Sequence, residues 1–274
     1  MPRIHCPTAL SSGLSLELPA AAARHVQVLR MQPGHTLTLF DGRGGEFDAQ
    51  VTHMGRNEVR VTVGEHRAIE REAQRPVHLV VGMPANERMD WLVEKATELG
   101  VERITPVMTE RSVLRLHGER AEKKQAHWQA IAISACEQCG RNRLPTIALP
   151  LRLSDWLVAQ PCDIADNTSA ADTPLHAVLS LHASTQPWSD LLGRAAPISM
   201  ADPQGNALPS GSAELTSSTR PVVLLSGPEG GLSDAEDAAA RQAGYMAVHV
   251  GPRVLRAETA ALAALAYVSL HDAG

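Results

Sequence analysis

The chain has 274 residues, of which 44% are hydrophobic and 20% charged, and its formal net charge is −5. This composition excludes a wholly disordered chain, and the length suits one large domain or two smaller ones. A negative net charge argues against a general nucleic-acid-binding protein, because contacts to phosphates need clustered Lys and Arg. The first 160 residues, however, carry 20 basic and 18 acidic residues, so the acidic excess lies entirely after residue 160. The net charge therefore weakens that class of function without excluding it.

The cysteines and the N-terminal segment indicate a reduced, cytoplasmic protein. Four cysteines, at positions 6, 136, 139 and 162, are spaced too irregularly for a disulfide framework in a chain of this length. Residues 1–10 lack the apolar core of a signal peptide, and no run of ~18 apolar residues predicts a membrane helix. Cys136 and Cys139 have the spacing of half a zinc site, but no paired histidines lie nearby, so we expect no metal.

Residues 1–75 predict a small β domain. Thr36–Phe40, residues 46–52 and residues 59–63 alternate apolar and polar side chains, as half-buried strands do. Glycine-containing turns separate these segments, and short strands at this spacing favour a small barrel or a curled sheet. The charged segment 65–75 predicts a linker to the next domain.

Residues 76–274 predict an α/β domain. Residues 77–81 and 104–108 are short apolar runs typical of buried strands, and a segment with apolar residues at helical spacing follows each of them. Gly100 ends the first of these helices. Strands that alternate with helices predict a parallel sheet.

Residues 161–220 interrupt this alternation with a segment rich in Ala, Ser, Pro and Thr. The segment contains one predicted strand, at 177–181, and we interpret 161–174 and 196–219 as surface loops or partly disordered insertions. The alternation returns with a strand at 222–225, followed by a helix, a strand at 246–250 and a final apolar helix.

A glycine-rich loop, residues 227–231, joins the strand at 222–225 to a helix. Ser233 and Glu236 form the S-x-x-E pattern of a capping box, which begins the helix there, and Gly244 can end it. Open α/β sheets bind ligands at such loops, and glycines let the backbone approach a ligand closely. The loop lacks the Gly-Lys-Ser/Thr of a P-loop, which disfavours a nucleotide-dependent enzyme. An ordinary strand-to-helix turn is the alternative.

A second candidate loop, residues 250–259, precedes the last helix. It holds Arg253, Arg256 and Glu258 beside a Gly-Pro turn. Because the dipole at a helix N-terminus favours anions, two arginines at this place indicate a site for an anionic group. A helix start held by a salt bridge is the alternative.

These two loops resemble the paired C-terminal motifs of a known family. Gly227-Pro-Glu-Gly-Gly231, followed by Gly251-Pro-Arg-Val-Leu-Arg-Ala-Glu-Thr-Ala260, is similar to the motifs of the RsmE family. Its members are SPOUT-superfamily methyltransferases that modify the N3 atom of a uridine in small-subunit (16S) ribosomal RNA. Further segments resemble the family in the same order, and they are residues 25–31, 39–42, 94–101, 104–106, 110–111 and 135–143.

The resemblance implies a C-terminal SPOUT α/β domain with a trefoil knot, residues 76–274, after a PUA-like RNA-binding β-barrel domain, residues 1–75. It implies S-adenosylmethionine as the cofactor, and a homodimer with the site near the subunit interface. The last helix, apolar nearly all round, suits burial against a partner or within the chain. The residues implied to hold the cofactor are Leu181, His182, Leu225, Gly227, Pro228, Glu229, Gly230, Gly231, Val250, Gly251, Val254, Leu255 and Arg256.

Methylation of uridine N3 requires that atom to lose its proton, so the site needs a general base or a cation that stabilises the anion. Glu258 is the candidate base, and Arg256 or Arg141 is the candidate cation beside the uracil oxygens. The alternatives are helix capping for Glu258, and a phosphate contact or an ordinary ion pair for Arg141.

Contacts to RNA are expected from Arg3, Arg24, Arg30 and Arg43 in the N-terminal domain. Arg88 alone keeps the basic character of a turn that is basic and contains glycine in relatives. The expected partner is 16S rRNA in the small ribosomal subunit, bound with modest, salt-sensitive affinity. A non-catalytic ribosome-assembly factor, which keeps the fold and has lost cofactor affinity, is the alternative function.

Overall fold

The computed structural model describes residues 1–56, 58–159, 173–182, 184–192 and 220–271. The insertions predicted at 161–174 and 196–219 lie almost entirely outside the described residues. In chain order, the helices and strands are β1 (Arg3–His5), β2 (Ser15–Glu17), α1 (Ala20–Val28), β3 (Thr36–Phe40), β4 (Glu46–Met54), β5 (Val59–Arg67), β6 (Val77–Gly82), α2 (Asn86–Glu98), β7 (Arg103–Met108), α3 (Glu119–Cys139), β8 (Thr146–Ile147), β9 (Leu151–Arg152), α4 (Leu153–Ala159), β10 (Leu175–Leu179), β11 (Gln186–Pro187), α5 (Trp188–Leu191), β12 (Val222–Ser226), α6 (Asp234–Gln242), β13 (Met246–His249) and α7 (Ala257–His271).

These elements form two compact units that do not follow the chain order. The first unit consists of Met1–Ala73, Ala85–Thr105 and Leu116–Pro150. The second consists of Gln74–Pro84, Pro106–Arg115 and Leu151–Gly274. The domain boundary predicted at residue 75 stays a prediction. The two compact units are each made of three separate segments, so they do not coincide with a division at that residue.

In the first unit, a five-stranded sheet in the order β1-β3-β4-β5-β2 contains the strands predicted from alternation. β1 pairs with β3 in parallel and the other pairs are antiparallel. Two register shifts between β4 and β5 mark bulges, which bend the paired strands. The predicted linker is wrong at its start, because β5 continues to Arg67, where His66 lies opposite Phe47 and Arg67 opposite Glu46.

The same unit contains the long helices α2 and α3, which pack against each other. Trp128 of α3 is fully buried, and its indole Nε1–H donates to Asp90 Oδ1 of α2 at 3.0 Å. β8 pairs in parallel with Arg103 and Ile104 at the start of β7. The two helices predicted from apolar spacing are therefore confirmed.

The second unit is built on a sheet in the order β11-β13-β10-β12-β6-β7. The pairs β11·β13, β13·β10, β10·β12 and β12·β6 are all parallel, which confirms the α/β prediction. β10 ends at Leu179, two residues earlier than predicted, so Leu181 lies beyond the strand and is 78% exposed. A trefoil knot in this unit stays a prediction.

The helices of the second unit begin and end largely as predicted. Ser233 caps α6 by accepting from the Glu236 backbone N–H, and the Glu236 carboxylate accepts from the Ser233 N–H at 3.0 Å. Gly244, at φ 89°, follows the end of α6. On α7, Tyr267 and Leu270 are exposed, and the apolar residues buried within the chain are Ala261, Leu262, Ala264, Leu265 and Val268. Every helix in the described ranges is too short or too polar to cross a bilayer.

Candidate functional site

A pocket that is partly open to solvent lies in the second unit. Its walls are the segments that follow β10, β12 and β13, together with the first turns of α7. Because these strands are parallel, their carboxyl ends meet at one edge of the sheet, where open α/β sheets bind ligands.

The pocket brings together most of the residues predicted to hold a cofactor. Those that line it are Leu181, Gly227, Pro228, Glu229, Gly231, Val250, Gly251, Val254 and Leu255. His182 and Gly230 line an adjoining opening that shares Leu181 and Glu229 with the pocket. The two glycine-containing loops, which are separated by 18 residues in sequence, are thus parts of one site.

Two predicted cofactor residues lie elsewhere. Leu225 packs into an apolar cluster with Val223 and Ala240, because alternate side chains of a strand face opposite sides of the sheet. The neighbouring Ser226 lines the pocket in its place. Arg256 is exposed just before α7, where its carbonyl oxygen accepts from the Ala260 N–H at 2.9 Å, and it is absent from the pocket wall.

The glycine-rich loop is folded tightly on itself. A Cβ on Gly227 would lie 2.7 Å from the Leu232 nitrogen and 2.8 Å from the Gly231 carbonyl carbon. The Gly231 N–H closes the turn by donating to the Pro228 carbonyl at 2.8 Å. Only glycine therefore fits at position 227 without moving the loop backbone.

The segment after β7 fixes this loop from outside. Arg111 Nη1 donates to the carbonyl oxygens of Gly230, at 2.8 Å, and Leu232, at 3.1 Å. The Glu110 N–H donates to Glu236 Oε1 at 2.7 Å. Positions 110 and 111 resemble a family motif, but nothing in the sequence indicates their role, since the loop they hold lies more than 100 residues away.

Ser226 is a second residue that sequence reasoning missed. It is 2% exposed, lines the pocket, and its Oγ has no hydrogen-bond partner among the described residues. The only signal in the sequence is a hydroxyl at the end of the apolar run at 222–225.

Arg141, one of the predicted catalytic cations, is buried in the first unit. Its Nε donates to the Glu72 carboxylate, and its Nη1 donates to the carbonyl oxygens of Thr97, at 2.9 Å, and Val101, at 3.0 Å. The Nη2 atom also bonds Glu72. This bonding favours the ordinary ion pair, which replaces the catalytic prediction for Arg141.

The other catalytic candidate, Glu258, is buried in the first turn of α7. A carboxylate at this position interacts favourably with the positive end of the helix dipole. This interaction agrees with the alternative role of Glu258, which is to cap the helix. Its role as a base stays a prediction.

The arginines predicted to bind RNA divide into two groups. Arg24, Arg30 and Arg43 are exposed on the first unit. Arg3 is different, because its guanidinium donates to Glu46 and to Asn142 Oδ1, the latter at 2.6 Å. That bonding holds the partly buried Arg3 side chain within the unit, and its contact with RNA stays a prediction. Arg88 is half-buried on α2.

The paired cysteines lie at the end of α3. Cys136 is buried, and this burial raises the pKa of its thiol to about 12, so the thiolate that binds metals is disfavoured. Within the described ranges, no group of three or more His, Cys, Asp or Glu side chains is arranged to hold a metal ion.

Comparison with known families gives matches over both parts of the chain. The family described as an RNA methyltransferase domain matches residues 71–269, and an RNA methyltransferase PUA domain matches residues 18–64. The ribosomal RNA small subunit methyltransferase E of Bacillus subtilis is 28% identical, over 89% of this chain and 85% of its own length. The protein of that name from Mycobacterium tuberculosis is 30% identical, over 89% of this chain and 81% of its own length.

Solved structures agree with these matches. A methyltransferase from Legionella pneumophila, in complex with S-adenosylmethionine, is 33% identical with a TM-score of 0.80, covering 98% of this chain and 97% of its own. Ribosomal RNA small subunit methyltransferase E from Neisseria gonorrhoeae, bound to S-adenosyl methionine, is 34% identical with a TM-score of 0.75, covering 97% of this chain and 96% of its own. The chain therefore belongs to the RsmE family of RNA methyltransferases, with a SPOUT α/β fold and a PUA domain.

Proposed function

We propose that this chain transfers a methyl group from S-adenosylmethionine to the N3 atom of a uridine in small-subunit (16S) ribosomal RNA. The observation that carries the proposal is the pocket in which both family motifs meet at the carboxyl ends of parallel strands. The names of the relatives support the small ribosomal subunit as the source of the RNA, and two similar structures hold S-adenosylmethionine.

The residues of the pocket fit this cofactor. S-adenosylmethionine has no phosphate, and the glycine-rich loop has no P-loop lysine. Gly251, at φ 112°, has open space where a side chain would be, which leaves backbone groups accessible. Val254, 77% exposed, and Leu255 offer apolar surface for an adenine ring. When bound, the cofactor supplies an activated methyl group on its sulfonium sulfur.

Arg256 and Glu258 are the residues that we propose for the substrate side of the reaction. Glu258 takes the N3 proton, and Arg256 stabilises the negative charge that then develops on the uracil oxygens. The exposed position of Arg256 just before α7 suits contact with a large substrate such as RNA.

Replacement of Arg256 tests this role. We expect Arg256→Ala to lower kcat/KM by about 10-fold or more, because a charge that acts on the transition state is lost. The circular dichroism spectrum should not change, since the side chain is exposed. Arg120→Ala, at an exposed arginine of α3, is the matched control. Activity of Arg256→Ala within about two-fold of the unmodified chain, well under ~1 kcal/mol, contradicts the role.

RNA binding is proposed for the exposed arginines Arg24, Arg30 and Arg43 within or beside the PUA match. A homodimer with the pocket near its interface belongs to the same proposal, and the exposed apolar side chains Tyr267 and Leu270 of α7 support it. Light scattering on the purified chain measures the oligomeric state, and a monomer contradicts the dimer alone.

Mass spectrometry of ribosomal RNA decides the proposed reaction. Deletion of the gene should abolish one N3-methyluridine in 16S rRNA, and the purified chain with S-adenosylmethionine should restore it. An unchanged level of that nucleoside overturns the substrate and the target atom. Calorimetric titration with S-adenosylmethionine is the second measurement. A non-catalytic assembly factor that has lost cofactor affinity should show no heat of binding, whereas the proposed enzyme should show it.

A further inference from the structure

Ser226 ends β12 after four apolar residues and is almost fully enclosed, at 2% exposure. Its Oγ has no hydrogen-bond partner among the described residues. Buried hydroxyls nearly always have a partner in folded proteins, because an unmatched one has lost its bonds to water without replacement. An unmatched hydroxyl at this place therefore needs an explanation.

The direction of the Ser226 side chain follows from the alternation of β12. Val223 and Leu225 pack into the apolar cluster that also contains Ala240 of α6. Side chains at even positions of the strand consequently face the opposite side of the sheet, where α7 packs on β12. Ser226 shares the pocket wall with Ala257 and Ala260 of α7, so the hydroxyl lies on the side of the sheet that the pocket occupies.

We propose that the Ser226 hydroxyl forms a hydrogen bond with a polar group of the bound cofactor, and is thereby a determinant of cofactor affinity. This inference rests on the proposed function, since it takes S-adenosylmethionine as the occupant of the pocket. A serine hydroxyl both donates and accepts, so it suits the amine, carboxylate, ribose or adenine groups of that molecule. The free protein then holds an unmatched polar group whose partner arrives with the ligand.

A hydroxyl with this role gives an unusual combination of effects when it is removed. Ser226→Ala should weaken the binding of S-adenosylmethionine by about 5- to 10-fold, which is the range of one neutral hydrogen bond. The melting temperature of the free protein should stay the same or rise, because the variant lacks the unmatched group. A serine with a structural role would instead lower the melting temperature.

The experiment is calorimetric titration of the full chain with S-adenosylmethionine and with S-adenosylhomocysteine, together with thermal melting of the free protein. Both ligands should lose affinity for Ser226→Ala by the same factor, since they share every polar group and differ in the methyl group and the sulfonium charge. Ser226→Cys is slightly larger and keeps a weaker hydrogen-bonding group, so its Kd should lie between those of the unmodified chain and Ser226→Ala. Ser154→Ala, at an exposed serine of α4, is the control.

Three outcomes overturn the inference. They are a Kd of Ser226→Ala within two-fold of the unmodified chain, a loss confined to S-adenosylmethionine, and a loss that accompanies a lower melting temperature. An unmodified chain that gives no heat with either ligand is a distinct result, because it removes the proposed cofactor itself. If the unmodified chain and Ser226→Ala bind S-adenosylmethionine equally well, the proposed function stands and only the role of Ser226 is rejected.

Discussion

Arg111 shows how a single exposed side chain can organise a site without entering it. One nitrogen of its guanidinium holds two carbonyl oxygens of the glycine-rich loop, those of Gly230 and Leu232. Both acceptors are main-chain carbonyls, so these bonds fix the backbone of the loop independently of its side chains. Arg111 is therefore a positioning residue for the pocket.

We expect Arg111→Ala to raise the Kd for S-adenosylmethionine by about 3- to 10-fold, because the loop gains freedom that binding must remove. The effect is modest because water competes for exposed hydrogen bonds. Calorimetry measures the Kd, and Arg120→Ala again serves as the exposed control. Equal affinities for Arg111→Ala and the unmodified chain would show that the loop holds its shape unaided.

Glu46 has a comparable organising role in the first unit. Burial of its carboxyl raises the pKa, but hydrogen bonds from Arg3, Asn142 and Arg71 together lower it by more. The pKa of Glu46 therefore lies below its ordinary value. A carboxyl whose pKa is lower in the folded state stabilises the fold above the unfolded pKa. That contribution is lost as the pH falls through the folded value.

Glu46→Gln should therefore lower the free energy of unfolding at pH 7 by about 1–3 kcal/mol, since the arginines lose a charged partner. The difference from the unmodified chain should shrink as the pH falls below the ordinary glutamate pKa of ~4.3, because the carboxyl is then protonated first in the unfolded chain and, at lower pH, in the folded one. Urea unfolding between pH 7 and pH 3 measures it, with the exposed Glu17→Gln as the control. If the difference in the free energy of unfolding does not change with pH, the charged form of Glu46 is not what stabilises the fold.

At the scale of elements, the end of β6 is fitted against the glycine-rich loop that follows β12. A Cβ on Gly82 would lie 2.6 Å from Pro228 Cδ and 2.9 Å from the Gly227 carbonyl carbon. These atoms belong to the backbone and to a proline ring, so the clash can be relieved only by moving the loop. Strand pairing thus sets the position of the pocket wall.

We expect Gly82→Ala to raise the Kd for S-adenosylmethionine by about 10-fold or more and to lower the melting temperature, because overpacking displaces the loop. Gly55→Ala is the milder control, since its nearest contact would be 3.3 Å. Calorimetry and thermal melting measure both effects. Unchanged values for Gly82→Ala would mean that the loop adapts at no cost.

The elements also show what the sequence can predict. Alternation located β3, β4 and the first part of β5, an apolar run located β12, and the Ser233–Glu236 pattern located the start of α6, because these signals are local. Charged residues concealed the end of β5, since Arg67 is held by Glu46 and Asp48 across the sheet. Which face of β12 meets the pocket depends on neighbours in space, so the sequence does not show that Ser226 rather than Leu225 lines the pocket.

At the scale of the whole molecule, the first unit joins segments that are far apart in sequence. Arg141 bonds Glu72, and the buried Asn142 donates to the Ile69 carbonyl at 2.6 Å and accepts from Arg3. These contacts join residues far apart in the chain, so the sequence alone does not distinguish an ion-paired Arg141 from a catalytic one. They tie the end of α3 to the part of the chain that precedes residue 75.

This arrangement predicts that a chain cut at the domain boundary is not self-sufficient. The fragment 76–274 lacks Glu72, Ile69 and Arg3, so Arg141 loses its carboxylate partner and Asn142 loses its bonds to Ile69 and Arg3, while α3 remains. Removing the partner of a buried charge is strongly destabilising, and we expect the melting temperature to fall by about 5 °C or more. Glu72→Gln in the full chain separates the ion pair from the other losses and should give part of the decrease. If the fragment has the same melting temperature as the full chain, residues 76–274 are stable without the N-terminal segment. The boundary at residue 75 would then separate independently stable parts of the protein, which the two compact units do not.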